Sequence, residues 1–161
     1  MHALGLHHNE VYLCRALAWV LTPEAGHGLG ASVLEALLER CGVQARGAEH
    51  ATVITEESRR DTRADIVVRF GDSSLLIEAK VFAGEQERQC TRLADLWSSD
   101  RPTLVFLTRD GSHPRSAGDS VDAWHRIRWR ELGQIISAAA QNKRCSAGVH
   151  EFAHTIEAYG G

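Results

Sequence analysis

The sequence lacks the long apolar run that a membrane-spanning helix requires. None of its apolar stretches approaches the roughly 20 residues needed to cross a bilayer. Its N-terminus also lacks the basic and then apolar pattern of a secretory signal. From these two absences we expect a cytoplasmic protein that has no membrane partner.

Cysteines are few and far apart, at Cys14, Cys41, Cys90 and Cys145, and no two of them form a C-x-x-C pair. Four reduced thiols are the simplest interpretation of this spacing in a cytosolic protein. A structural zinc site or disulfides are the alternative.

An excess of one charge is missing as well. The 18 Lys and Arg residues against 21 Asp and Glu residues leave a formal net charge of -3. The overall charge therefore gives no argument for nucleic-acid binding, and any such surface has to be local. With 161 residues, 43% of them hydrophobic and 24% charged, the chain fits one soluble globular domain covering residues 1–161.

The most informative stretch is D-I-V-V-R-F-G-D-S-S-L-L-I-E-A-K. Its composition predicts a strand over Asp65–Phe70, a turn, and a second strand over Leu75–Val81. Because side chains alternate between the two faces of a strand, Glu78 and Lys80 share a face. If the strands pair as a hairpin, Asp65 lies near both of them, at the end away from the turn.

Two carboxylates and a lysine at one end of a sheet suit a hard divalent cation, which prefers oxygen ligands. Asp65, Glu78 and the backbone carbonyl of Ala79 are the candidate ligands. Lys80 is then placed to orient or deprotonate a water that attacks a phosphorus atom. The alternative is an ordinary surface hairpin, in which Glu78 and Lys80 form a solvated pair.

Helices are predicted on both sides of this hairpin. Asn9 is a candidate N-cap for an amphipathic helix that ends before Pro23, and Glu10 in its first turn is either a favourable charge at the helix end or a third carboxylate facing the metal. A helix over Glu85–Trp97 carries Gln89, which either orients the site or contacts substrate, or else is a solvated polar residue.

Further strands complete an α/β pattern. We predict a strand over Ala51–Thr55, followed by a segment at 56–63 whose arginines either contact phosphates or belong to a solvated loop. The apolar run at Pro102–Thr108 predicts a strand buried on both faces and hence central or parallel, reached from the Glu78 strand by a βαβ crossover. A last strand is predicted over Trp124–Trp129, with helices over Glu131–Ala140 and Val149–Tyr159.

The order of these pieces resembles the PD-(D/E)xK nuclease superfamily, and most closely a small bacterial branch associated with phage defence. N-E-V-Y-L-C-R-A-L-A-W-V-L followed by H-G-L-G is similar to the opening helix and loop of that branch. R-A-D-I-V-V, L-L-I-E-A-K and G-E-Q-E-R-Q-C match its aspartate strand, E-x-K strand and glutamine helix, while T-L-V-F-L-T-R-D-G and W-R-E-L fit its later segments. The resemblance covers roughly residues 10–140.

The resemblance implies a restriction-endonuclease-like core, a mixed β-sheet flanked by helices. It implies that Asp65, Glu78 and the Ala79 carbonyl bind Mg²⁺, with Mn²⁺ able to substitute, and that Lys80 is catalytic. It adds Glu10 as an accessory acid and Gln89 as the glutamine of the following helix.

The implied function is metal-dependent hydrolysis of phosphodiester bonds in DNA, in phage defence, restriction or DNA processing, by a homodimer or a subunit of a larger complex. The alternatives are a catalytically inactive nuclease-fold subunit that binds nucleic acid or a protein, and an antibacterial effector nuclease.

Overall fold

The computed structural model describes residues 2–80 and 89–159. Over these residues the helices are α1 His2–Leu21, α2 Ser32–Arg40, α3 Gln89–Leu96, α4 Trp129–Ala140 and α5 Ala147–Glu157. The strands are β1 Thr52–Arg59, β2 Thr62–Phe70, β3 Ser73–Ala79, β4 Thr103–Thr108 and β5 Trp124–Arg128. The predicted end of one strand at Val81 and the predicted helix start at Glu85 lie outside the described residues.

The five strands form one mixed sheet in the order β1-β2-β3-β4-β5. β1, β2 and β3 pair antiparallel, whereas β3, β4 and β5 pair parallel. This arrangement confirms the predicted α/β mixed sheet, the predicted hairpin and the parallel neighbour of the apolar 102–108 strand.

The sheet separates two hydrophobic cores because alternate side chains of its central strands face opposite sides. On one side Ile66 and Ile77 belong to a large core with buried residues of α1, α2, α4 and α5. On the other side Val67 and Leu76 belong to a smaller core with Leu93 of α3. The face predicted to carry Asp65, Glu78 and Lys80 is therefore the face that α3 covers.

Helix α1 forms because Leu13, Leu17 and Leu21 recur at helical spacing, and all three are buried in the large core. It ends at Leu21, just before the Thr22-Pro23 pair. The predicted N-cap at Asn9 is wrong, because α1 begins at His2 and passes through that position. Asparagine only prefers caps, and hydrogen bonding of the preceding turns overrides the preference.

The acidic and basic segment at 56–63 is not a solvated loop. β1 continues to Arg59, a two-residue turn follows, and β2 begins at Thr62. Charged residues have weak strand propensity, but cross-strand pairing decides the outcome here. Glu57 adds an ion pair with Arg69 at 2.7 Å, which ties the end of β1 to the sheet.

Glu56 is a left-handed residue in the middle of β1, with φ of 57°. It follows Thr55, the partner of Ile66, and therefore lies opposite Asp65. Side-chain alternation on β2 breaks at this point. Ala64 and Val67 are three residues apart, so strict alternation would place them on opposite faces, yet both lie in the small core. The kink thus bends the β1–β2 hairpin toward α3.

The C-terminal part packs tightly against the large core. The last predicted strand ends one residue early, because Trp129 is the first residue of α4. α4 and α5 approach closely at Gly133, where an added Cβ would lie 2.9 Å from the carbonyl oxygen of Ala153. The glycine therefore sets the distance between these two helices.

The glycine-rich loop after α1 is held by a buried histidine. His27 Nδ1 accepts the backbone N–H of Leu29 at 3.0 Å, so its Nε2 carries the proton and donates to the carbonyl of Thr22 at 2.8 Å. The role of His27 in the described fold is structural. All four cysteines are free in the structure. Among the described residues, no helix has the length and apolarity to span a membrane.

Candidate active site

The end of the β2–β3 hairpin holds the predicted acidic pair. The ladder pairs Ile66 with Ile77, and the next position in the same register sets Asp65 opposite Glu78. There Asp65 Oδ2 accepts the backbone N–H of Ala79 at 2.8 Å. The carboxylate thus takes the place of a ladder hydrogen bond, which holds it beside Glu78 where the strands part.

Glu78 is the centre of the site, and its side chain is completely buried. Its Oε1 accepts a hydrogen bond from Gln89 Nε2 at 2.7 Å and lies 3.4 Å from the Nζ of Lys80. Its Oε2 is also buried and has no hydrogen-bond partner among the described residues. A buried carboxylate oxygen without a donor costs free energy, and such groups indicate an absent partner.

Two carboxylates in this position repel each other. Burial raises the pKa of Glu78 well above its ordinary value, and the charge of Asp65 raises it further, against the opposing effect of Lys80. Burial also raises the pKa of Asp65, although its interaction with Glu78, the hydrogen bond from the N–H of Ala79 and the charge of Lys80 limit the rise. The pair therefore favours one bound proton, or a cation in its place.

Lys80 stays protonated in this setting. Burial alone would lower the pKa of its ammonium group, but the negative charges of Glu78, Asp65 and Glu10 outweigh burial and raise the pKa. Its side chain is 16% exposed, and Lys80 lines the cleft beside the acidic pair.

The acidic pair and Lys80 line a cleft of about 460 Å³. One wall is α1, another is the β1–β2 hairpin, and the third is the start of α3. The charged and polar residues contributed by these three walls include Glu10, Arg15, Glu56, Arg60, Asp61, Arg63, Gln89 and Arg92. Asp61 and Arg92 form an ion pair that joins the hairpin to α3.

Glu10 lies in the cleft wall, but α1 begins at His2 and Glu10 is therefore not in its first turn as predicted. Its charge reaches Asp65 and Lys80 through space, since it raises the pKa of both. No group of three His, Cys, Asp or Glu side chains within 2–80 and 89–159 is arranged to hold a metal ion. The candidate acidic metal ligands among these residues are therefore the pair Asp65 and Glu78. The accessory role of Glu10 stays a prediction.

Some residues at the site were not predicted from the sequence. Cys14 lines the cleft and lies one helical turn after Glu10. Residues four apart share a helix face, so this spacing is the sequence signal that could have predicted its position. Burial, followed by the charges of Asp65 and Glu78, raises the pKa of its thiol, which favours the protonated form over the nucleophilic thiolate. Arg15 and Glu56 also line the cleft, and only the packing of α1 and the pairing of β1 reveal this.

The donor set fits a hard divalent cation. The oxygens of Asp65 and Glu78 are the ligand type that Mg²⁺ prefers. A cation beside Glu78 Oε2 would supply the missing partner of that buried atom and offset the repulsion that raises both pKa values. The Ala79 carbonyl, the third candidate ligand, belongs to the residue whose N–H already binds Asp65.

Comparison with known proteins agrees with this geometry. No curated protein and no solved structure is significantly similar to the chain. The sequence model of the PD-(D/E)XK nuclease superfamily, however, matches residues 2–159, nearly the whole chain. With its mixed sheet and its D…E-x-K residues at one end of a hairpin, the chain belongs to the PD-(D/E)XK nuclease superfamily.

Proposed function

We propose that this protein is a metal-dependent nuclease that hydrolyses phosphodiester bonds in DNA, with Mg²⁺ as its cofactor and Mn²⁺ as a substitute. One observation carries the proposal: a buried glutamate with an unpartnered oxygen lies beside a second carboxylate and a lysine at the base of a cleft. A surface hairpin with a solvated Glu78–Lys80 pair does not bury its glutamate.

In this proposal Asp65, Glu78 and the carbonyl of Ala79 hold the cation. When bound, the cation supplies Lewis-acid polarisation of a phosphate oxygen and activation of water. Both carboxylates are oriented in advance, Asp65 by the N–H of Ala79 and Glu78 by the amide of Gln89. Such preorganisation lowers the cost of arranging the site during the reaction.

Lys80 acts as a fixed positive charge. Without a cation, the charges of Glu78, Asp65 and Glu10 outweigh burial and raise the pKa of its ammonium group, and a protonated lysine donates hydrogen bonds to a phosphate instead of removing a proton from water. An ammonium donor beside the scissile phosphate stabilises the negative charge that grows in the transition state.

Three arginines at the cleft carry the proposed contacts to the nucleic-acid backbone. Arg15 lies on α1, and Arg60 and Arg63 lie on the β1–β2 hairpin, and all three are exposed. None of them forms an ion pair within the part of the chain that the structure describes. In this proposal, phosphates next to the scissile one pair with these three guanidinium groups, which are local positive charges on a protein of net charge -3.

The proposal is tested by incubating the purified protein with single-stranded DNA, double-stranded DNA and RNA in Mg²⁺, Mn²⁺ or EDTA. We expect cleavage of DNA that needs the cation. Asp65→Asn and Lys80→Ala should each lower the rate at least about a hundredfold, because each removes charge from the reacting centre.

Matched controls are available on the same chain. Asp72 is an exposed aspartate in the turn at the other end of the hairpin, and Lys143 is the other lysine of the sequence. Asp72→Asn and Lys143→Ala should leave the rate unchanged. Equal cleavage by all variants would rule out this mechanism, and no cleavage of any substrate would favour a nuclease-fold binding subunit.

Two finer proposals concern the biological setting. The resemblance suggests phage defence, and phage plating on cells that express the wild type or Asp65→Asn tests it: equal plating would contradict that role. Cutting both strands of a duplex usually needs two sites, so we propose a homodimer or a larger complex. Light scattering that shows a monomer with full double-strand activity would contradict this.

A further inference from the structure

Lys80 lies one residue beyond the end of β3, where the sheet no longer fixes the chain on its own. Two hydrogen bonds hold its main chain there. Its N–H donates to the carbonyl oxygen of Leu107 at 2.8 Å, which extends the β3–β4 ladder by one step. Its carbonyl oxygen accepts the indole N–H of Trp129 at 3.0 Å.

Trp129 is well suited to act as an anchor. It is the first residue of α4, its side chain is completely buried in the large core, and Ile127 of β5 lies in the same core. The direction of the indole N–H is therefore fixed by packing. The hydrogen bond connects that core, on one side of the sheet, to the residue whose ammonium group lies on the other side.

We propose that Trp129 is a positioning residue for Lys80. Its effect on rate rests on the proposed nuclease function, whereas its effect on the geometry of Lys80 does not. Side-chain rotamers depend on the backbone dihedral angles of the same residue. A free carbonyl would let the Lys80 peptide rotate, and the ammonium group, 3.4 Å from Glu78 Oε1, would move with it.

The chain offers a matched control in Trp124. It is also nearly completely buried, and its ring packs edge-to-face on Phe106. Unlike Trp129, its indole nitrogen has no hydrogen-bond partner among residues 2–80 and 89–159. Trp124→Phe and Trp129→Phe therefore remove the same atoms from buried sites, but only the second removes a hydrogen bond.

The kinetic test compares these two variants. We expect Trp129→Phe to lower kcat about tenfold with little change in KM, because displacing a catalytic group by about 1 Å costs up to about a hundredfold. Trp124→Phe should keep kcat within about twofold of the wild type. A loss that is equal in the two variants, or one confined to KM, would overturn the proposal.

A second readout needs no enzymatic activity. Lys80 and Lys143 are the two lysines of the sequence, so lysine-selective isotope labelling gives two sets of side-chain NMR signals. We expect the order parameter of the Lys80 side chain to fall in Trp129→Phe and to stay unchanged in Trp124→Phe, with Lys143 constant in both. An unchanged Lys80 order parameter in Trp129→Phe would overturn the proposal.

The wild type provides a test that does not depend on a variant folding. A long-range HNCO spectrum should show coupling across the hydrogen bond from the Trp129 indole to the Lys80 carbonyl, and its absence would contradict the proposal. If the coupling and the order parameters behave as expected but no substrate is cleaved, the positioning role stands and the proposed nuclease function fails.

Discussion

At the scale of single residues, the same side chains that suit the site for catalysis destabilise the folded state. A glutamate that is fully buried beside a second carboxylate raises the free energy of the folded state, and Lys80 and Gln89 offset only part of that cost. Functional sites commonly retain such unfavourable groups because activity needs them. Replacing the carboxyl group of Glu78 should therefore raise the stability of the protein while it lowers the activity.

We predict that Glu78→Gln stabilises the metal-free protein while it abolishes hydrolysis. Glutamine keeps an oxygen for the amide of Gln89 and cannot ionise, which removes the cost of holding a buried carboxyl group in either its charged or its protonated form. The free energy of unfolding in EDTA at neutral pH should rise by about 1 to 3 kcal/mol, which is large for a single substitution that stabilises. Urea unfolding measures it, with the exposed Glu39→Gln on α2 as the control.

The pH dependence follows from the raised pKa of Glu78. Above its ordinary value of 4.5 the unfolded chain loses this proton while the folded chain retains it. The folded state then binds more protons, so stability falls as pH rises until the folded group also ionises. Glu78→Gln should show a smaller fall over the same range, and parallel pH curves for wild type and variant would contradict this assignment.

Much of the site is predictable at this scale. Alternation along two strands predicted Asp65, Glu78 and Lys80 on one face, and in the structure Asp65 accepts the N–H of Ala79 while the Nζ of Lys80 lies 3.4 Å from Glu78 Oε1. The depth of Glu78 was not predictable, because burial depends on α3 and on the hairpin that covers the strands. Gln89 was predicted only as one of several alternatives, and its bond to Glu78 is a property of the packed helix.

At the scale of elements, the β1–β2 hairpin forms one wall of the cleft, and β1 has a left-handed residue, Glu56, within that wall. A left-handed backbone costs a non-glycine residue about 1 to 2 kcal/mol. The kink brings Arg59 onto the ring of Trp97, with 4.0 Å between the guanidinium carbon and the ring centroid, and into an ion pair with Asp100. These contacts with the α3 side of the sheet compensate for the local strain.

We predict that Glu56→Gly raises the free energy of unfolding by about 1 kcal/mol, because glycine adopts positive φ without a steric penalty. Thermal unfolding with a denaturant series measures the change. Ser58→Gly, also exposed on β1 but without a positive φ, should lower stability by about 0.5 to 1 kcal/mol. The same sign for both substitutions would contradict the strain at Glu56.

At the scale of the whole molecule, the site lies between parts that are far apart in the sequence. α1 brings Glu10, the hairpin brings Asp65, and α3 brings Gln89, and all three line one cleft. A ligand held between such parts stabilises the fold as a whole, by an amount that grows with its concentration above the dissociation constant.

We predict that millimolar Mg²⁺ or Mn²⁺ raises the thermal midpoint of the protein and that EDTA reverses the change. The expected gain is about 2.7 kcal/mol at a cation concentration a hundredfold above the dissociation constant. Asp65→Asn should remove the gain, whereas Asp72→Asn in the distant turn should retain it. An equal gain in both variants would assign the effect to nonspecific ions instead of the carboxylate pair.

The sequence by itself determined the α/β class, the D…E-x-K hairpin and the parallel strand after it, because these follow from local periodicity and from the register of two neighbouring strands. Tertiary structure alone decided that Glu78 is buried with an unpartnered oxygen, that β1 bends over the site, and that Trp129 binds the carbonyl of Lys80. These three features depend on contacts between residues up to 49 positions apart, which no local pattern encodes.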